Sequence, residues 1–149
     1  MIDSKVIGHC FVATPVTTNI SAGVEVPVAG AFVEGTEASQ ATCAANGRIT
    51  TLNRIEKRGT ISVDLDIDKL GGGQDDYVFR LKKIPILTGV AEDVDGGYST
   101  VTLTGGGSAT ITISGPVRFI EGDQFYTSVV GFGSNDDIEA FTAGLKVTE

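Results

Sequence analysis

The sequence predicts an all-β fold, an antiparallel two-sheet sandwich, on three observations. Apolar and polar side chains alternate with a period of two, turn residues recur at short intervals, and no window of helical length carries a sustained apolar stripe with caps. The alternation is strongest where the chain reads Ile-Ser-Val-Asp-Leu-Asp-Ile-Asp, which puts Ile61, Val63, Leu65 and Ile67 on one face and Ser62, Asp64, Asp66 and Asp68 on the other. Such a segment is a half-buried antiparallel strand. The same period sets Ala109, Ile111 and Ile113 against Thr110, Thr112 and Ser114, and Leu145 and Val147 against Lys146 and Thr148.

Between these runs lie Asn46-Gly47, Gly71-Gly72-Gly73, Asp95-Gly96-Gly97, Gly105-Gly106-Gly107 and Gly133-Ser134-Asn135. Glycine and asparagine reach the backbone conformations that tight reversals need, so this punctuation predicts many short strands. They are expected near 5–13, 24–28, 40–45, 48–52, 60–67, 77–83, 86–92, 98–103, 109–114, 124–131 and 138–147. The stretch 1–35 is broken by Pro15, Pro27 and several glycines. It is expected to form an N-terminal arm and edge strands, continuous with a body spanning 36–149, because proline removes a ladder donor. No internal repeat or linker divides the chain, so one domain is expected.

A chain of 149 residues that is 41% hydrophobic and 20% charged can bury a core without metal or disulfide staples. Its formal net charge of -8 argues against a nucleic-acid partner, since phosphate binding draws on clustered cations. Arg54, Lys57 and Arg58 form a local basic group, interrupted by Glu56, and read as a solvated strand end. The start Met1-Ile2-Asp3-Ser4-Lys5 lacks signal-peptide features and no stretch approaches a membrane span, so synthesis in a cytoplasm and no membrane partner are expected. In a reducing compartment Cys10 and Cys43 read as small buried hydrophobes, although a bridge is geometrically allowed if they lie on adjacent strands.

The residues supply little catalytic chemistry. His9 is the single histidine, and its neighbour Cys10 points to the opposite face of a strand, so the two do not pair as base and nucleophile. The acidic residues cluster. Asp93-Val94-Asp95-Gly96 begins like a calcium loop but lacks the downstream bidentate glutamate, and reads as an exposed turn tip. Asp64, Asp66 and Asp68 have a spacing compatible with a glycosidase acid pair, but the chain has no tryptophan for a sugar platform. A solvated outer face that discourages edge-to-edge aggregation is the simpler account. No glycine-rich segment has the order of a phosphate loop. No enzyme activity, metal or cofactor is expected.

The C-terminal half carries a recognisable series. Strand 61–67 and a Gly loop precede Tyr77-Val78-Phe79-Arg80-Leu81-Lys82-Lys83. A Ser/Thr-Val strand, Val117-Arg118-Phe119-Ile120-Glu121-Gly122-Asp123-Gln124-Phe125-Tyr126 and a closing strand 138–147 follow. This order resembles the tumour necrosis factor-like jelly roll, with Glu121-Gly122-Asp123 the best single match. Gly122 allows the reversal there, and the Asp123 carboxylate can accept from neighbouring amides.

The resemblance implies a jelly-roll sandwich that forms a homotrimer, with Phe79, Phe119, Phe125, Tyr126 and Val130 contributing to the subunit interface or, equally, to the core within one subunit. Small acidic versions of this fold resemble bacteriophage virion proteins. The implied function is that of a capsid decoration or cement protein, made in the host cytoplasm, located on the virion surface and bound to the major capsid protein or another virion protein. The alternative is the receptor-binding tip of a tail or head fibre that recognises a host glycan or protein.

Overall fold

The computed structural model describes residues 5–35, 40–133 and 135–149. They form β1 (Val6–Pro15), β2 (Thr17–Thr18), β3 (Val26–Pro27), β4 (Gly30–Glu34), β5 (Ala41–Cys43), β6 (Ile49–Thr51), β7 (Lys57–Lys69), β8 (Asp75–Ile84), β9 (Glu92–Leu103), β10 (Ser108–Phe119), β11 (Gln124–Phe132) and β12 (Ile138–Thr148). No helix occurs among the described residues. One sheet has the order β10-β7-β12-β1-β4, with β2 on β12. The other has the order β5-β6-β11-β8-β9, with β3 on β11, and every pairing in both is antiparallel. From β9 onward each successive strand enters the opposite sheet, which is the path of a jelly roll.

The alternation read from the sequence decides the packing. Ile61, Val63, Leu65 and Ile67 point between the sheets and are almost completely enclosed, as are Ile111, Ile113, Leu145 and Val147. Tyr77, Phe79 and Leu81 of β8 and Phe125 and Val129 of β11 meet them from the other layer. Each such aliphatic or phenyl side chain contributes about 1.5–3 kcal/mol by leaving water. The union of the two layers is therefore the main stabilising feature of the fold.

Four expectations are corrected. The N-terminal stretch is not an arm followed by edge strands alone, because β1 lies inside its sheet between β12 and β4. Ile7 and Cys10 supply the inward side chains that make this favourable. Residues 30–34, not foreseen as a strand, form the edge strand β4. The stretch 86–92, expected as a strand, is instead a loop up to residue 91, closed by the Gly89 and Thr88 amides donating to the Pro85 carbonyl. Proline at the first turn position and Gly89 at φ 67° explain that reversal. Finally, Asp93-Val94-Asp95-Gly96 is part of β9 and not a turn tip. The register slips between Arg80 and Lys82 on β8, and Gly96 at φ 69° accommodates the irregularity.

Cys10 of β1 and Cys43 of β5 are joined by a disulfide, with their Cα atoms 5.5 Å apart. The two strands belong to different sheets, so the bond staples the layers together. This also corrects the expectation of two free, buried thiols: β1 and β5 are not neighbours in a sheet, but β1 passes over β5 across the two layers and brings the sulfurs together.

Candidate interaction surfaces

The five residues assigned to a subunit interface do not form one surface. Phe79, Phe119 and Phe125 are enclosed within a single chain, and the rings of Phe119 and Phe125 meet edge to face with centroids 6.3 Å apart. A second subunit cannot reach them without opening the sandwich. Val130 is also buried, on the opposite side of β11 from Val129. Tyr126 alone is half-exposed, with the Arg48 guanidinium 5.3 Å from its ring centroid. Aromatic residues in β-strands fill a core as readily as an interface, and alternation identifies a shared face without saying which face is inside.

Exposed apolar side chains gather in two other places. The first is the outer face of the β10-β7-β12-β1-β4 sheet. Phe11 is 38% exposed and lies directly across from Val33, itself 40% exposed, on β4. On its other side Phe11 faces Gly144 of β12, where no side chain covers the ring. His9 stacks obliquely beside Phe11 at 5.6 Å, and Phe141 is exposed further along β12. Bordering this apolar strip, Asp64 accepts from the Thr112 hydroxyl at 2.9 Å and Asp66 from Thr110 at 2.7 Å. These aspartates thus form an ordered polar margin, tied to the next strand.

The second place is one end of the sandwich, where three loops converge. The Gly122 amide donates to the Thr51 carbonyl, the Asn53 side-chain amide donates to the Phe119 carbonyl, and the Ile86 amide donates to the Asp123 carboxylate. These bonds hold the 52–56, 85–91 and 120–123 loops side by side. Leu52, Ile55, Ile86, Leu87 and Val90 project from them, with Ile55 78% and Leu87 87% exposed. Exposed Arg54, Arg58 and Arg118 flank this end, and Arg58 sits directly across from Arg118 in the β7–β10 register. Like charges facing each other on paired strands are unfavourable unless an acidic group answers them.

The Glu121-Gly122-Asp123 turn behaves as its chemistry predicts. Gly122 has φ 92°, and the enclosed Asp123 carboxylate accepts from the Ile120 and Ile86 amides at 3.0 and 2.9 Å. Asp93 is held by Lys82, which also contacts Glu25 at 3.1 Å. Burial works against the Lys82 ammonium, but hydrogen bonds to Asp93 and Glu25 and their charges outweigh it and raise its pKa. Among the described residues no group of three or more His, Cys, Asp or Glu side chains converges as a metal site. His9 and Cys10 point to opposite faces as expected, with Cys10 inside.

At the opposite end a buried polar group escaped the sequence reading. Lys69, the last residue of β7, follows the inward alternation and has a side chain with no solvent exposure. Its Nζ lies 2.5 Å from Asp136 Oδ2. The hydroxyl of enclosed Tyr77 donates to the Asp136 backbone carbonyl at 2.9 Å, with buried Asp75 close by. Burial above all, then the charges of Asp75 and Asp136, push the Tyr77 phenol far above its ordinary range.

The sign of the resulting pH dependence follows. The folded pKa lies above the unfolded one, so this contribution to stability is intact below about pH 10 and is lost as pH rises through the folded value. Between about pH 9 and about pH 11 the urea midpoint of the wild type is expected to fall more steeply than that of Tyr77→Phe. Parallel slopes for the two proteins would show that Tyr77 does not carry the effect.

No protein-family model matches the chain, and no curated protein matches it. Among solved structures it is similar to the Eiger TNF of S. frugiperda, with a TM-score of 0.55 and 13% identity over 96% of this chain and 92% of that one. A second alignment, to dimeric latent PorU from Porphyromonas gingivalis, has a TM-score of 0.41 and 10% identity. It covers 97% of this chain and 13% of that chain and carries no argument. The first likeness establishes the class of fold. The chain is a TNF-like all-β jelly roll, as the order of its strands and the Glu121-Gly122-Asp123 turn predict.

Proposed function

We propose that the chain is a structural protein of a bacteriophage particle, a decoration or cement protein that acts as a homotrimer and binds the assembled head. The observation that carries this reading is the loop end with five exposed aliphatic side chains. An apolar centre flanked by arginines has the composition of a protein-binding surface. Exposed Arg54, Arg58 and Arg118, with Asp95 beside the last two, favour a partner that supplies carboxylates. The strip Phe11, Val33 and Phe141 on the sheet face is a separate patch and is assigned to contacts between copies, where threefold symmetry uses it three times. A protein that binds only the assembled particle stabilises it by mass action and needs no catalytic group.

The test is to add purified protein to heads that lack it and to image them. Occupancy at regular lattice positions is expected, and Leu87→Glu with Ile55→Glu should abolish it while leaving the fold intact. Failure of the wild type to bind heads, with binding to host cells instead, would favour the second reading, a receptor-binding tip. The same loop end favours that alternative too, and its aliphatic character suits a protein receptor better than a glycan.

A further inference from the structure

We propose that Lys69 and Asp136 become joined by an intramolecular amide bond, formed by the folded protein itself with loss of one water molecule. The geometry is that of a nucleophile already in place. The Lys69 side chain is fully enclosed, and its Nζ is in contact with the Asp136 carboxylate. The Gly73 amide donates to the same Oδ2 at 3.3 Å, and Gly71 leaves the space into which that carboxylate fits, since a Cβ at Gly71 would collide with it. The loops around both residues are tied down. The Lys69 amide donates to the Gly107 carbonyl, and the Leu70 amide donates to the Asp137 carbonyl, each at 2.9 Å.

The second lysine-carboxylate contact of this kind provides a comparison within the molecule. Lys82 lies equally close to Asp93, but Asp93 is 62% exposed whereas Asp136 is 24% exposed. Hydration keeps the first pair an ordinary surface ion pair. Around Lys69 the cost of holding the ammonium out of water is large, and conversion to a neutral amide removes that charge together with its partner's. Fixed contact between amine and carboxyl supplies an effective concentration of roughly 10⁵–10⁸ M, which favours condensation over hydrolysis where water is scarce.

The atoms balance. One proton passes from the Lys69 ammonium to Asp136 Oδ2, leaving a neutral amine facing a neutral carboxyl group. The Nζ lone pair then forms the Nζ–Cγ bond, the Cγ–Oδ2 bond breaks, and a second Nζ proton leaves with Oδ2 as water. That second proton passes to Oδ2 within the Lys69–Asp136 contact itself, while the Tyr77 hydroxyl holds the Asp136 backbone by donating to its carbonyl. No oxidant, metal or nucleotide enters. The product ties the end of β7 to the segment before β12, closing a loop of 67 residues, and thereby locks two neighbouring strands of one sheet.

Intact mass spectrometry of the full chain after disulfide reduction tests this directly. The expected mass is that of the sequence less one water, and digestion should give a branched peptide linking Lys69 to Asp136. Asp136→Asn should retain the link but lose ammonia in its place, and Asp136→Ala should have the full sequence mass. The wild-type reading does not depend on any variant folding. Wild-type protein that keeps the full sequence mass after prolonged incubation, with separate Lys69 and Asp136 peptides, would overturn the proposal.

Discussion

Replacing Phe125 by alanine is expected to lower the unfolding free energy by about 4 kcal/mol, within the range for a buried phenyl group removed from a packed core. Phe125 has no solvent exposure, packs edge to face on Phe119, and lies on β11 between β6 and β8 in the middle of its sheet. The surrounding strands are hydrogen-bonded on both sides and cannot close the resulting cavity. A domain of this size has about 5–15 kcal/mol to lose, so the change consumes a large share of the total. The melting temperature should fall by roughly 10 °C. Phe132→Ala, at the half-exposed end of the same strand, should change stability by less than about 1 kcal/mol. Thermal or urea unfolding of the two variants makes the comparison, and equal effects would contradict the assignment of Phe125 to the core.

Loss of the Cys10–Cys43 bond should have an effect of similar size. The crosslink spans 33 residues, and restricting the unfolded chain over that length is worth about 3.5 kcal/mol. Because it joins β1 of one sheet to β5 of the other, its removal also frees the layers to separate at that edge. Cys10→Ala with Cys43→Ala should unfold at lower urea than the oxidised wild type. A reductant should bring the wild type to nearly the same midpoint while leaving the double variant unchanged. A wild type indifferent to reductant would show that the bond contributes nothing to stability.

These two residues mark where the sequence was legible and where it was not. Strict alternation specified β7 and β12 to within about three residues and the first half of β10, because each has one face in the core and one in water; β10 runs on to Phe119. The turn at Gly122-Asp123 was readable because its chemistry is local. Residues 86–91 were misread because Ile86, Leu87 and Val90 are as apolar as a strand, and only tertiary exposure separates an exposed loop from a core segment. β4 was missed because Gly30 and Ala31 carry little propensity, and pairing with β1 rather than local preference makes it a strand. Whether Phe79, Phe119 and Phe125 pack in the core or at an interface was left open for a related reason. Their alternation was clear, but the side of the sheet that meets the other layer depends on strands far away in sequence.

The two polar features with the largest consequences were also hidden. Lys69 sits in phase with Ile67 and Leu65, and that phase points inward, which alone would have marked it as a lysine placed in the core. Its partner Asp136 comes from a segment 67 residues away and follows no pattern. In the same way Cys10 and Cys43 carry no spacing signature, and their meeting depends on how two sheets overlie one another.

Sedimentation equilibrium of the purified, oxidised protein in the micromolar range measures whether this jelly roll works by assembling through its exposed face. A mass three times the 15.4 kDa of one chain is predicted, with Phe11→Glu falling to a single chain while remaining folded. A wild type that stays at the mass of one chain at every concentration would contradict it.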